Sequence, residues 1–351
     1  INHPLMVAVT DPARAQEFSP ADWRTAISTA YLTKMMGVLQ RECGGLGLPN
    51  NVRRWFDTAE TRLAFSHKML ALDLRDIQAF FSTLGIPTIL LKGGAYRALE
   101  LPWSIGRISS DLDILVPWDR LSDAERALRE ADWEDMLDET SALDREYFRQ
   151  WLHEIPPLKH PERFISLDVH HNILPRTDPK CFDPERLWAS AVQAPNGLLV
   201  PCPPDMVIHS AEHLLRNGRF HHGIRDLHDI HCLITTFGND PDFWPSLLDR
   251  AREVRLTPTL GLGLRYASIL FGTRIPDDVT PHIQAHLPRA TALIDRLVAN
   301  ALLPRTLHRI DYRREFAIWT LAHLPPPRLR VLASPLFWRK RLARPEPAAD
   351  V

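Results

Sequence analysis

Residues 90–116 read LLKGGAYRALELPWSIGRISSDLDILV, and the fold class turns on this stretch. It sets a Gly-Gly pair and a D-x-D carboxylate pair between two apolar runs. In an extended strand, side chains two apart share a face, so Asp111 and Asp113 project together while Leu112, Ile114 and Val116 turn to the core. A third carboxylate, Asp168, follows in ISLDVHH (165–171). There Ile165, Leu167 and Val169 form one face and Ser166, Asp168 and His170 the other. Hard cations take carboxylate oxygens and keep positions open for water and substrate phosphates. Three convergent aspartates therefore point to Mg²⁺, with Mn²⁺ as the substitute, and to phosphate chemistry rather than hydrolysis at zinc. The carboxylates are expected on an exposed face where they repel one another.

Working outward, Gly85 and Pro87 end a helical pattern carried by Leu63, Leu70, Leu74, Ile77, Phe81 and Leu84, and a short strand follows over 88–91. After the glycine turn, AYRALELPWSIG is expected to start as a helix and stop at Pro102, its amides available to a phosphate oxygen. Asp119 is placed to cap the helix RLSDAERALREADW. The run LHEIPPLKHPERFISLDVHHNI reads as a hairpin turning near Pro161 and Glu162. Near the start, Ser19, Pro20 and Asp22 supply an N-cap, a first-turn proline and an acidic third position. From Pro201 onward the pattern is helical again. The expected fold is α+β, a small mixed-sheet core over 85–200 flanked by helical parts at 1–84 and 201–351. FWRKRLAR reads as a solvated basic helix and RPEPAADV as a disordered tail.

The ordered set of motifs resembles the bacterial uncharacterised nucleotidyltransferases of the DNA-polymerase-β-like superfamily, most strongly over about 85–175. Lys92, Gly93 and Gly94 match that family's Lys-Gly turn, Arg107 its Arg before the carboxylates, and Asp111 and Asp113 its metal pair. Asp168 and His170 match its D-x-H strand, and Asp229 in IRDLHDIHCLI falls at its helical Asp. The resemblance implies a nucleotidyltransferase core that moves NMP from an NTP, ATP foremost, to a hydroxyl acceptor. Asp111, Asp113 and Asp168 would be catalytic and metal-binding, Lys92, Gly93, Gly94 and Arg107 nucleotide-binding, and His170 and Asp229 acceptor-binding or supporting.

Composition narrows the partners. A chain of 351 residues with 45% hydrophobic residues can build a substantial core. A net charge of -1 argues against nucleic acid as the main partner and leaves a small molecule or a protein as acceptor. The four cysteines show no C-x-x-C, which suits reduced thiols. No run has transmembrane length, and INHPLMVAVTDPAR lacks signal-peptide character, so a cytoplasmic place is expected.

Several alternatives stay open at this level. Lys92 could snorkel at a strand end, and Arg107 could pair with the aspartates instead of a phosphate. His170 could position a phosphate or simply satisfy a hydrogen bond. The metal clamp could serve γ-phosphoryl transfer, or a non-catalytic nucleotide-binding module. His209, His213, His221, His222, His228 and His231 crowd Asp226 and Asp229, as in a histidine-metal phosphohydrolase, although the usual order of its motif is absent.

Overall fold

The computed structural model describes residues 2–136, 148, 151–216, 220–303 and 312–322. FWRKRLAR and RPEPAADV lie outside the described residues. The helices α1 (Pro4–Thr10), α2 (Pro20–Leu32), α3 (Met36–Cys43) and α4 (Asn50–Thr83) precede the sheet. α2 opens with the expected capping box, in which Asp22 N–H donates to Ser19 Oγ and Ser19 N–H to Asp22 Oδ2. α4 is longer than its apolar spacing suggested and ends at a left-handed Gly85.

Then come β1 (Ile89–Leu90), α5 (Lys92–Ala98), β2 (Asp111–Leu115), α6 (Leu121–Glu130), β3 (Glu134–Asp135), β4 (Leu158–Lys159), β5 (Ser166–His170), α7 (Glu185–Ser190), β6 (Val192–Gln193) and β7 (Leu199–Val200). The strands form one mixed sheet in the order β3-β4-β5-β2-β1-β7-β6. β4 and β5 make the expected hairpin, which Arg163 ties to α4 through Asp73 (2.8 Å) and Asp76 (2.7 Å). β2 and β5 run parallel, with Asp111 opposite Ser166, Asp113 opposite Asp168 and Leu115 opposite His170. In-register residues of a sheet share a face, so both strands present their polar side chains together.

Two local expectations are corrected. The glycines form no separate turn: Gly93 and Gly94 lie inside the first turn of α5, because the chain reverses at Lys92, whose φ of 45° is left-handed. Asp119 caps no helix. It sits in a 3₁₀ turn over Trp118–Arg120, and α6 starts without a side-chain cap.

α8 (Pro203–Arg216), α9 (Gly223–Phe237), α10 (Phe243–Glu253) and α11 (Thr257–Phe271) pack on one another, and α8 packs against α5; α12 (Thr280–Ala285), α13 (Thr291–Leu302) and α14 (Tyr312–Ala322) follow. Among the described residues, no helix is long and apolar enough to cross a membrane.

Candidate active site

The site grows from the polar face of β2 and β5. Asp113 is only 3% exposed, which corrects the expectation of a solvated pair. Its Oδ1 accepts from Lys92 Nζ at 2.6 Å and from His170 Nε2 at 3.1 Å. Burial alone would raise the Asp113 carboxyl, but the Lys92 charge and the His170 hydrogen bond outweigh it and hold it well below the usual range. Burial likewise opposes the Lys92 ammonium, and Asp113, Asp111 and Asp168 together overcome it. The reversed backbone at Lys92 aims its side chain back over β2. A left-handed non-glycine residue costs on the order of 1–2 kcal/mol, so this conformation is held by its surroundings, the ion pair among them.

Asp168 is in the opposite state. Burial first, then the charges of Asp113, Glu154 and Asp111, push its carboxyl well above the normal value. Its Oδ1 is buried and accepts no hydrogen bond. A face that gathers carboxylates, one with an orphaned oxygen and a raised pKa, is short of positive charge. Its oxygen donors are of the kind a hard divalent cation takes, although among the described residues ligand atoms within 4.8 Å of one another are found at His153, Glu154 and His170 and not at the three aspartates.

Arg107, 6% exposed, does not reach the aspartates of β2. Its Nε donates to Asp229 Oδ2 (2.9 Å) and its Nη1 to Ser109 Oγ (3.1 Å), while its guanidinium lies 5.6 Å from the centre of the Tyr96 ring. This explains Gly93, where a Cβ would stand 2.2 Å from Arg107 Nη1 and 2.5 Å from Ser109 Oγ. At Gly94 a Cβ would press on Leu112. Lys34, also left-handed, donates from Nζ to Ser110 Oγ beside Asp111. Burial and then the Arg225 charge lower its pKa, and Asp111 partly restores it. Arg225 is itself buried, with Nε and Nη1 lacking partners.

Residues 19–272 match the family described as "Uncharacterised nucleotidyltransferase". The chain belongs to that family. No curated protein and no solved structure matches it. Family membership makes the nucleotidyltransferase a transferase enzyme.

Within the nucleotidyltransferase, the structure brings Asp111, Asp113, Asp168, Lys92 and His170 together, and sets Arg107 with Asp229 behind Gly93. Sequence reasoning missed Lys34, Arg225, His153 and Glu154. Glu154 lies opposite His170 in an antiparallel bridge. The bridge continues the β4–β5 hairpin, and the hairpin reading of 152–173 with its turn near Pro161 and Glu162 already set residue 154 against the end of β5; that signal was available and was not followed to Glu154. Three of the crowded histidines of α8 and α9 have other uses. His213 pairs with Asp226 (2.9 Å), His231 with Thr273 (2.9 Å), and His228 lies against Cys232 and Phe271. Among the described residues, metal-ligand spacing is found instead at His153, Glu154 and His170, which leaves the histidine phosphohydrolase reading without support.

Proposed function

We propose that this nucleotidyltransferase moves NMP from an NTP, with ATP as donor, to a hydroxyl on a small molecule or a protein side chain, using Mg²⁺ or Mn²⁺ held by Asp111, Asp113 and Asp168. The observation that carries this reading is the in-register pairing of Asp113 with Asp168 across parallel strands, with Asp111 on the same face. Bound there, a divalent cation would neutralise phosphate charge and lower the pKa of the acceptor hydroxyl.

The chain's own groups supply the rest. Asp168, on the same face as Asp113, is placed to take the acceptor proton. The acceptor oxygen bonds to the α-phosphorus, the bridge to the β-phosphate breaks, and pyrophosphate leaves with the electron pair. Lys92 and the first-turn amides of Gly93 and Gly94 steady the triphosphate, since amides there have no partner within the helix. Lys34 and Arg225 add positive charge near Asp111. Arg107 orders the nucleotide side by holding Ser109 over Gly93, Asp229 acts through Arg107, and His170 orients Asp113. The four free thiols fit a reducing compartment, and we place the enzyme in the cytoplasm.

The test is incubation of the full chain with NTPs labelled at the α- or γ-phosphate, Mg²⁺ or Mn²⁺, and pools of hydroxyl metabolites and proteins, read by mass spectrometry. Products gaining an NMP mass with the α-label support the proposal. Transfer of the γ-label would replace it with phosphoryl transfer, and full activity in both Asp111→Asn and Asp113→Asn would overturn the site.

A further inference from the structure

The backbone around Glu154 is zipped to the end of β5. Ile155 N–H donates to Val169 O (3.0 Å) and His171 N–H to His153 O (2.9 Å), with Glu154 bridged to His170. This sets His153 and Glu154 beside His170, which ends the strand that carries Asp168. One ligand atom from each lies within 4.8 Å of the others, and His170 Nδ1 is 3.6 Å from Glu154 Oε2. The imidazole planes of His153 and His170 are inclined by only 30°, with ring centres 5.4 Å apart.

His170 supplies the second observation. It is 1% exposed, and its Nε2 faces Asp113 Oδ1. An ionised carboxylate only accepts, so Nε2 is the donor to Asp113 and Nδ1 is the ring nitrogen left facing Glu154. That Nδ1 is buried and has no hydrogen-bond partner. A carboxylate fixing one ring nitrogen while the other offers a lone pair is the arrangement that orients a metal-binding histidine.

We infer that His153, Glu154 and His170 form a second cation site, distinct from the aspartate site, for a first-row transition metal of the Zn²⁺ class. Two imidazoles and one carboxylate prefer such ions to Mg²⁺, and three protein ligands leave a coordination position for water or substrate. Tetrahedral zinc needs ligand atoms roughly 3.5 Å apart, within reach of side-chain shifts of about 1 Å. An ion there would place positive charge beside Asp168 and act on Asp113 through His170, linking the two sites. The inference does not need the transfer chemistry to be right.

The experiment is titration of chelator-treated full-length protein with Co²⁺, followed by its visible absorption, and with Zn²⁺ by competition, in a large excess of Mg²⁺. The wild type should bind one equivalent that Mg²⁺ does not displace. His153→Gln and Glu154→Gln should weaken it by at least about 10-fold and change the Co²⁺ spectrum, while Asp111→Asn keeps it. Metal-free melting curves identify which variants are folded, and His153→Ala and Glu154→Ala replace any that are not. The absence of a tight equivalent in the wild type, unchanged binding in folded His153 and Glu154 variants, or loss in Asp111→Asn would each overturn the site. Failure of nucleotidyl transfer with the tight equivalent intact would count against the transferase chemistry alone.

Discussion

At the scale of residues, the paired strands hold two carboxylates in contrary states, and their amide variants should separate stability from activity. Asp113→Asn removes the anion that keeps Lys92 buried; losing one partner of a buried pair costs about 3 kcal/mol or more. Asp168→Asn relieves a buried negative charge and should raise the stability of metal-free protein by on the order of 1 kcal/mol. Both should lose transfer, and urea midpoints measured beside the labelled-NTP assay would show the opposite stability changes. A destabilised Asp168→Asn would mean that its carboxylate already has a partner. His228 offers a pH test. Burial lowers its pKa to about 3 from the ordinary 6.5, so the folded protein keeps it neutral where the unfolded chain is protonated. Its contribution is complete above pH 6.5 and lost as the pH falls toward 3. His228→Gln should therefore flatten the acid limb of the stability curve by about 1.4 kcal/mol per pH unit in that window, read from urea melts at successive pH values.

At the scale of elements, α5 shows what the glycines accomplish. Gly93→Ala drives a methyl into the Arg107 guanidinium and Ser109, and overpacking of this kind costs roughly 1–3 kcal/mol. Thermal melts should show a lowered midpoint for Gly93→Ala, and an unchanged one would mean that Arg107 has room to move. Much here was legible in the sequence. The D-x-D alternation gave β2, Asp168 and His170 were placed on the polar face of β5, and Ser19 with Asp22 marked the start of α2. Those signals are local, set by period-two alternation and cap chemistry. The reversal at Lys92 was not legible, because left-handed lysine has no sequence signature and depends on Asp113 across the strand pair. Glu154 was legible in principle: the hairpin read over 152–173 with its turn near Pro161 sets residue 154 opposite His170, but only Asp168 and His170 of that pairing were followed to the site. The burial of Asp113 was misjudged because alternation tells which face a residue is on but not whether another element covers that face.

At the scale of the whole molecule, the buried Arg107–Asp229 ion pair joins the segment leading into β2 to α9. Trp103 with Thr236 (3.2 Å) is a second tie to α9, and Tyr96 with Ser210 (2.8 Å) ties α5 to α8. Asp229→Ala should leave the Arg107 cation uncompensated at a cost of about 3–5 kcal/mol. The loss should appear as one cooperative shift of the melting curve by circular dichroism, since the segment leading into β2 and α9 share the pair. Separate melting of two units would show that the pair does not couple them.

The span of that pair sets a condition on biosynthesis. Arg107 and Asp229 are 122 positions apart. At roughly 5–20 residues per second of translation, the arginine emerges some 6 to 25 seconds before its partner has been made. Through that interval the chain holds a guanidinium without its acid, because α9 is not yet there to supply it. A ribosome stalled before the codon for Asp229 would thus present a chain that lacks this pairing, the form most in need of chaperone shelter.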